Sequence, residues 1–259
     1  MSIYNVFLTM NKEYLLISDD GPGFYTLEGE GEFIGQPSIF MRLFGCNLTC
    51  KGFSTKDAPF GCDSFISWSK KNKLTFVEIF DHYEKNKFIS LLKNGTIFKI
   101  TGGEPLVRQE PLLLFFKCFT ERYGFVPRID FETNATIIPD NRWVSEFNAT
   151  FTTSPKLSNN GDPEKKTFNL EALKWHVKHN SGFKFVISSP KDIDEVMDKF
   201  INDSSGIKIP LNRIWLMPCC GSRQEHIEVA EKVAEYAKSL NVKFSPRLHL
   251  LIWDKALKV

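Results

Sequence analysis

With 259 residues, 42% hydrophobic and 25% charged, the chain can bury one sizeable core and has an ordinary globular composition. Its formal net charge of +2 gives no reason to expect a nucleic-acid or membrane partner. The longest apolar run, near Leu112, is too short to span a bilayer, and no signal peptide is expected. Six cysteines without an export signal favour a reducing compartment, so we expect a cytoplasmic protein with a single domain over residues 1–259.

Predicted strands begin at residue 38, where short segments rich in β-branched and aromatic residues start to alternate with segments of helical period. Repeated strand–helix units favour a mostly parallel sheet with helices outside it. Such strands could form an open sheet or an incomplete barrel, and periodicity does not choose between the two. The predicted strands cover residues 38–44, 97–101, 127–133, 148–154, 183–188 and 213–218.

The helices are predicted from their caps as well as their period. Thr75 followed three residues later by Glu78 has the pattern of a capping box, and Gly124 is a typical helix stop. Cys118 lies on an apolar helix face and is expected in the core. The predicted helices cover residues 75–86, 110–124, 169–182, 191–203 and 224–240. Three histidines on the later helices are expected to be exposed: His176, His179 and His226.

Three cysteines are gathered after the first predicted strand. Three residues separate Cys46 from Cys50, and eleven separate Cys50 from Cys62. Three thiols are an odd number for disulfides and one short of a closed zinc site, but they can hold a [4Fe–4S] cluster with one iron left open. Spacing alone leaves buried or zinc-binding cysteines as an equal alternative. Cys219 and Cys220 follow a later strand and, being adjacent, are poor partners in one cluster.

Short polar motifs follow four successive predicted strands. In parallel α/β sheets, ligands bind beyond the carboxyl ends of the strands, so these motifs are expected at one rim. The glycines of TGGEP would let the backbone pass close to a ligand, and its acid could accept from an ammonium group. The motifs are the cysteine segment from residue 46, TGGEP at 101–105, ETNAT at 132–136 and SPK at 154–156.

This combination of clustered cysteines and a later Gly-Gly-Glu-Pro resembles the radical S-adenosylmethionine superfamily. There the cysteines follow the first strand as C-x3-C-x2-C, and the glycine loop binds the methionine amino group of the cofactor. Here the second gap is longer, so residues 51–61 are an insertion in the cluster loop. The resemblance implies an α/β fold: an incomplete, TIM-like barrel of about six parallel strands with outer helices. Residues 1–24 would form an N-terminal extension.

A narrower resemblance is to the 7-carboxy-7-deazaguanine synthase family. The stretch YTLEGEGEFIGQPSIFMRLFGCN is similar to that family's N-terminal signature, and TGGEP, ETNAT and SPK follow in the family's order. The chain departs from the family pattern with Glu28 in place of glutamine, Ser64 in place of threonine and Ala135 in place of glycine. If the contact at residue 28 uses the backbone, the change is neutral. If it uses the side chain, the substrate preference is open.

The resemblance implies a role for each matching residue. Cys46, Cys50 and Cys62 would hold the cluster, the Ser64 hydroxyl would bind Mg²⁺, and Arg42 would pair with the substrate carboxylate through its planar fork. The residues expected to bind S-adenosylmethionine are Gly61, Asp63, Gly102, Gly103, Glu104, Ser154, Pro155, Lys156 and Met217. Those expected to bind the pterin substrate are Leu27, Glu28, Gly29, Glu30, Arg42, Thr101 and His249.

The family's activity is the radical-mediated ring contraction of 6-carboxy-5,6,7,8-tetrahydropterin to 7-carboxy-7-deazaguanine, with loss of ammonia, in queuosine-type deazapurine biosynthesis. The resemblance implies such a lyase, with no catalytic side chain beyond the cofactor-derived radical, an electron donor such as flavodoxin, and a homodimer. Two other functions stay open. A glycyl-radical-enzyme activase has the same cysteines and glycine loop but acts on a protein. A non-catalytic metal-binding module would follow if the insertion disables radical chemistry.

Overall fold

The computed structural model describes residues 10–18, 21–62 and 64–256. Within them ten strands form one sheet, in the order β10-β9-β8-β7-β6-β5-β3-β1-β4 with β2 beside β3. The strands are β1 (Tyr14–Ile17), β2 (Phe24–Leu27), β3 (Pro37–Leu43), β4 (Asn72–Thr75), β5 (Ile97–Gly102), β6 (Ile129–Thr133), β7 (Thr150–Thr153), β8 (Gly182–Ile187), β9 (Ile214–Pro218) and β10 (Lys243–Phe244). Strands β3 and β5–β10 pair in parallel, whereas β1, β2 and β4 pair antiparallel.

Helices connect the parallel strands and lie against one face of the sheet. The α-helices are α1 (Phe65–Trp68), α2 (Phe76–Lys85), α3 (Phe88–Lys93), α4 (Gln109–Tyr123), α5 (Arg142–Ser145), α6 (Glu164–Thr167), α7 (Leu170–Lys178), α8 (Pro190–Val196), α9 (Arg223–Ser239) and α10 (Leu248–Trp253). No helix in the described part of the chain is long and apolar enough to cross a membrane.

The two faces of the parallel strands carry different side chains. On the outer face Phe98 of β5 and Phe131 of β6 are fully buried, and the Phe98 ring packs edge-on against Phe116 of α4. Because successive strand residues alternate between faces, Lys99 and Asp130 point to the inner face, where they are paired in register. The apolar core therefore lies between the sheet and the helices, and the inside of the curved sheet is polar.

The fold prediction is confirmed. Each of the six predicted strands is present within two residues at either end, and the sheet is mostly parallel with outer helices. The capping box of α2 forms, since the Glu78 backbone N–H donates to Thr75 Oγ1 at 3.3 Å. Gly124 ends α4 with a φ of 74°, in the left-handed region that glycine adopts without strain. Four further strands, β1, β2, β4 and β10, were outside the prediction; β1 lies within the expected N-terminal extension.

The expected exposure of two histidines is wrong. His176 of α7 has no exposed surface and His226 of α9 is 3% exposed, because each lies on the face that its helix turns towards the sheet. His176 Nδ1 is 2.9 Å from Ser181 Oγ, and its ring packs edge-on against Phe151. Burial lowers the pKa of His176 to about 3, so the ring is neutral in the folded protein. Cys118 is buried as expected.

Acidification is expected to weaken the fold through His176. The pKa of an unfolded histidine is about 6.5, so below that pH the unfolded state binds a proton that the folded state refuses until about pH 3. The free energy of unfolding should therefore fall by roughly 2 kcal/mol between pH 7.5 and pH 5 from this residue alone. Urea unfolding at several pH values measures it: His176→Asn should flatten the pH dependence by that amount. An unchanged slope in His176→Asn would contradict this account.

Candidate active site

The cysteine segment leaves the carboxyl end of β3 as expected. Burial raises the pKa of the Cys46 thiol to about 12, and the charges of Glu104, Cys50 and Cys62 contribute to that rise. The Leu48 backbone N–H donates to Cys46 Sγ at 3.4 Å, and the Trp68 indole N–H donates to Cys62 Sγ at 3.5 Å. Three thiols on one loop resist losing their protons together unless a bound cation compensates the charge.

The long gap before Cys62 is closed in space. A Cβ atom at Gly61 would lie 2.5 Å from the Cys50 carbonyl oxygen and 2.8 Å from Lys51 Cα, so the two ends of the insertion touch. The insertion therefore begins and ends at neighbouring positions in the structure, and Cys62 lies beside Cys50. Asp63, the next expected cofactor residue, lies outside the described residues.

The insertion packs against two later parts of the chain. Its first residues form a 3-10 turn, Lys51–Phe53, and a Cβ at Gly52 would lie 2.1 Å from the Asn159 carbonyl oxygen. At its far side Ser222 Oγ donates to Asp57 Oδ2 at 2.7 Å, which ties the insertion to the N-terminus of α9. These contacts show how residues 51–61 fold, which the sequence left open.

A carboxylate from a polar loop holds the cysteine segment. Asp162 Oδ2 accepts from the backbone N–H groups of Thr49 and Cys50, both at 2.8 Å, and its Oδ1 accepts from Thr49 Oγ1 at 2.9 Å. These bonds fix Cys50 at a φ of 50°, a left-handed conformation that is strained for a residue with a side chain. Sequence reasoning placed no function on Asp162, since an isolated acid in a polar loop carries no signal.

The glycine loop after β5 docks directly on the cysteine segment. A Cβ at Gly102 would lie 2.2 Å from the Leu43 carbonyl oxygen, and one at Gly103 would lie 1.9 Å from that of Gly45. The Glu104 backbone N–H donates to the Gly45 carbonyl at 2.9 Å. These positions need glycine because backbone meets backbone.

The Glu104 carboxylate is buried and surrounded by donors. It accepts from the Leu106 backbone N–H at 3.0 Å, Thr133 Oγ1 at 2.8 Å and the Asn134 backbone N–H at 2.7 Å. Burial raises the pKa of Glu104 to about 7, and these hydrogen bonds oppose the rise. Glu104 thereby ties the glycine loop to the ETNAT segment after β6.

The remaining expected cofactor residues line the same rim. The Ser154 backbone N–H donates to the Thr133 carbonyl at 2.7 Å, and Lys156 Nζ donates to Ser154 Oγ at 2.8 Å. Pro155 is buried between them, and Met217 lies buried in β9, in register with β8. The structure thus places these side chains at the carboxyl ends of β6, β7 and β9, as the parallel sheet predicts.

The expected substrate residues lie on β2, β3 and β5 and the loop after β2. Arg42 and Thr101 are in register on β3 and β5, and Arg42 Nη1 is 3.4 Å from Ser64 Oγ. Leu27 is the last residue of β2 and is partly buried. The Arg42 guanidinium lies 5.6 Å from the centre of the Phe24 ring.

The C-terminal segment closes over the loop after β2. A Cβ at Gly29 would lie 2.3 Å from His249 Nδ1, and the Leu248 backbone N–H donates to the Gly29 carbonyl at 2.8 Å. His249, which the resemblance matched only in the distant C-terminal segment, is therefore in contact with the expected substrate loop. Glycine at position 29 leaves the space that the imidazole fills.

The inner face holds a charged network that sequence reasoning missed. Lys184 Nζ is 2.5 Å from Glu30 Oε2 and 2.9 Å from Glu132 Oε1, and Arg247 Nε donates to Glu30 Oε1 at 2.9 Å. Burial favours the neutral acids, but the neighbouring cations outweigh it and lower the pKa of Glu132 to about 2 and hold that of Glu30 well below its usual value. A signal existed: Lys99 interrupts the apolar run of β5.

The Glu28 side chain is engaged by the protein itself, through the loop after β2 and through β5. Glu28 is 2% exposed, and its Oε1 accepts from the backbone N–H groups of Gly29 at 2.9 Å and Glu30 at 3.2 Å. Its Oε2 lies 2.7 Å from Lys99 Nζ. Ala135, another departure from the family, has a φ of 60°, a conformation that suits the family's glycine better.

The three cysteines fit an iron–sulfur cluster. Within the described residues no group of three His, Cys, Asp or Glu side chains is arranged around a single metal ion. A [4Fe–4S] cluster has a different requirement, because each thiolate binds its own iron. Three soft sulfur donors on one loop whose ends touch at Gly61 and Cys50, with N–H groups directed at Cys46 and Cys62, meet that requirement.

Comparison with known proteins places the chain among curated relatives. A protein from Pyrobaculum aerophilum named 7-carboxy-7-deazaguanine synthase is 31% identical over 238 residues, covering 90% of this chain and 93% of the relative. One of the same name from Hyperthermus butylicus is 29% identical, covering 88% and 90%. The crystal structure of QueE from Escherichia coli shares the fold, with a TM-score of 0.58 and 21% identity over 94% of this chain and 98% of that one. No protein-family model matches the chain.

The sheet is an incomplete parallel barrel in which three cysteines follow one strand and a Gly-Gly-Glu-Pro loop, docked on the cysteine segment, follows the next. This is the arrangement of radical S-adenosylmethionine enzymes. Within that class, the curated relatives identify a narrower group. The chain belongs to the 7-carboxy-7-deazaguanine synthase family.

Proposed function

We propose that the protein converts 6-carboxy-5,6,7,8-tetrahydropterin to 7-carboxy-7-deazaguanine with release of ammonia. The observation that carries this proposal is the shared rim, where the cysteine segment, the glycine loop and the Arg42–Thr101 pair lie side by side. Relatives that bear this enzyme's name match nearly the whole chain, which supports the proposal. The protein is thus a lyase of deazapurine biosynthesis.

Cys46, Cys50 and Cys62 would hold a [4Fe–4S] cluster. When bound and reduced, such a cluster supplies the single electron that starts radical chemistry on S-adenosylmethionine. The protein's own part is to place the cofactor and to exclude water. The cofactor-binding residues would be those brought to the rim by the ends of β5, β7 and β9: Gly102, Gly103, Glu104, Ser154, Pro155, Lys156 and Met217, with Gly61 of the cysteine loop and Asp63.

On the substrate side, Arg42 would bind the pterin carboxylate through its two parallel N–H donors. Ser64, whose Oγ lies 3.4 Å from Arg42 Nη1, would bring Mg²⁺ to the same carboxylate, since a serine hydroxyl is a hard oxygen ligand. Leu27, Glu28 and Gly29 would contact the pterin ring together with Glu30, Thr101 and His249. The contact between Gly29 and His249 supports a pocket closed by the C-terminal segment.

The proposal includes an electron donor such as flavodoxin, a homodimer and a cytoplasmic location. The two other functions are less well supported. A glycyl-radical-enzyme activase would not need the charged inner face or the Arg42–Thr101 pair, and the curated relatives carry the small-molecule enzyme's name. A non-catalytic metal module has no use for a glycine loop docked against the cysteine segment.

Anaerobic reconstitution tests the proposal. The protein is loaded with iron and sulfide, then given dithionite, S-adenosylmethionine, Mg²⁺ and 6-carboxytetrahydropterin, and products are followed by mass spectrometry. Formation of 7-carboxy-7-deazaguanine establishes the activity. Formation of 5′-deoxyadenosine without that product would support the enzyme class but reject 6-carboxytetrahydropterin as the substrate. Neither product from a fully loaded, reducible protein rejects the proposal.

Arg42→Lys is expected to raise KM for the pterin by about 100-fold, because lysine keeps the charge but loses the planar fork. Cleavage of S-adenosylmethionine in the absence of substrate should stay near the wild-type rate, since Arg42 faces the substrate side. Steady-state kinetics with product quantified by mass spectrometry measures the effect. The matched control is Arg122→Lys, at an exposed pair with Glu84, which should leave KM unchanged. An unchanged KM in Arg42→Lys would remove Arg42 from the substrate site.

A further inference from the structure

Lys99 is a cation buried inside the barrel. It has no exposed surface, and its Nζ lies 2.7 Å from Asp130 Oδ2 and 2.7 Å from Glu28 Oε2. The Phe33 ring covers it, with its centre 5.8 Å from the amine. Burial opposes the charge, but the two carboxylates outweigh it and raise the pKa of Lys99. Removing either acid would leave a buried ammonium with one partner fewer.

The Glu28 carboxylate faces donors on both of its oxygens. Oε2 faces the Lys99 ammonium, and Oε1 accepts from the Gly29 and Glu30 backbone N–H groups. Burial raises the pKa of Glu28, and Lys99 opposes that rise. Through this one side chain, the backbone of the loop after β2 is tied to a charge on β5.

An amide in place of Glu28 cannot make the same contacts. If its oxygen faced the two backbone N–H groups, its NH₂ group would face the Lys99 ammonium, donor against donor. In the opposite orientation the NH₂ group would face the backbone N–H groups. Either way buried donors lose their acceptor, which is costly. The carboxylate at 28 and the ammonium at 99 therefore depend on each other, which accounts for the departure from the family's glutamine.

We propose that Lys99 is a positioning residue for the pterin substrate, acting through Glu28 to fix the backbone of Gly29 and Glu30. This inference rests on the proposed function, in which the loop after β2 contacts the pterin. Lys99 lies behind that loop and does not itself bind substrate. Its contacts, Glu28, Asp130 and Phe33, are separate from the cysteine segment and the glycine loop, so substrate affinity should change and cofactor cleavage should not.

A double-mutant cycle in the reconstituted, full-length enzyme tests the proposal. Glu28→Gln should raise KM for the pterin about tenfold, because it removes the ion pair between Glu28 and Lys99. Substrate-free cleavage of S-adenosylmethionine should stay within about twofold of wild type. In Glu28→Gln/Lys99→Met the ammonium is gone, so the amide at position 28 can accept from the loop without facing a second donor, and KM should return towards the wild-type value.

Hydrogen exchange provides a readout independent of turnover. Glu28→Gln should speed exchange of the Gly29 and Glu30 amides, and the double variant should slow it again. Glu235→Gln, at an exposed pair with Lys238, is the matched control and should change neither KM nor exchange.

The outcomes separate the positioning role from the enzyme activity. A KM in the double variant at least as high as in Glu28→Gln overturns the proposal, as does a fall in stability with KM unchanged. If Glu28→Gln does not fold, recovery of folding and KM in the double variant supports the proposal, and no recovery overturns it. If wild type cleaves S-adenosylmethionine but makes no 7-carboxy-7-deazaguanine, the proposed function fails, and the exchange cycle alone decides the positioning role. Product formation with unchanged exchange in Glu28→Gln overturns the positioning role alone.

Discussion

Cys62→Ala is expected to lose the iron–sulfur cluster and to lower S-adenosylmethionine cleavage by more than about 100-fold, beyond the usual effect of losing an outer partner of a metal site. Cys62 is separated in sequence from Cys46 and Cys50, but the contact of Gly61 with the Cys50 carbonyl brings it beside Cys50. With one thiol gone, two remain for a cluster that needs three. Iron and sulfide content after anaerobic reconstitution, the electron paramagnetic resonance signal after reduction, and 5′-deoxyadenosine formation measure the loss.

The matched control is Cys118→Ala, which removes a fully buried thiol from α4. It should cost about 1 kcal/mol of stability, as loss of a small buried group does, and leave the iron content unchanged. Cys219 is the alternative third ligand to exclude. Its Sγ lies 3.9 Å from the Phe53 carbonyl, near the cysteine loop. Full iron content in Cys62→Ala with loss of iron in Cys219→Ala would show that Cys219 is the third ligand.

Contiguous sequence motifs predicted which residues lie at the rim, and the strand pattern predicted the parallel sheet that positions them. Each of the six predicted strands is a short segment rich in β-branched and aromatic residues, which the sequence shows directly. TGGEP and SPK follow such strands, so their common rim follows from the rule for parallel sheets. By contrast β1, β2 and β4 have four residues each and pair antiparallel at the edge of the sheet, where the pattern is too short to distinguish them from loops.

The pairing of charges on the inner face could not be predicted, because the partners are distant in sequence. Arg247 and Glu30 are 217 positions apart, and Lys184 and Glu30 are 154 apart. Each of these residues, read in its own segment, is an ordinary charge on a strand or loop. Only the closure of the sheet brings them together, and only then does burial make each charge depend on the others. The fold of the insertion has the same origin, since its contacts lie near Asn159 and Ser222.

Gly103→Ala is expected to disable the site by steric conflict alone. The added Cβ would lie 1.9 Å from the Gly45 carbonyl oxygen and 2.8 Å from the Cys46 backbone nitrogen, well inside the roughly 3.5 Å of van der Waals contact. The glycine loop and the cysteine segment must then separate by more than about 1 Å, a displacement that costs about 100-fold in rate when it misplaces reacting groups. Stability should fall by about 3 kcal/mol, as for other overpacked sites.

Gly124→Ala separates this steric effect from backbone strain. Gly124 has a φ of 74° with no atom within 4 Å of an added Cβ, so alanine there costs about 1–2 kcal/mol through its backbone and touches nothing. Gly103 has the opposite combination, because its added Cβ meets backbone atoms and its φ lies outside the positive range. Iron content, thermal unfolding and 5′-deoxyadenosine formation are compared in both variants. If Gly103→Ala kept wild-type iron and cleavage, the two loops could part without loss, and the shared rim would not be what positions the cofactor.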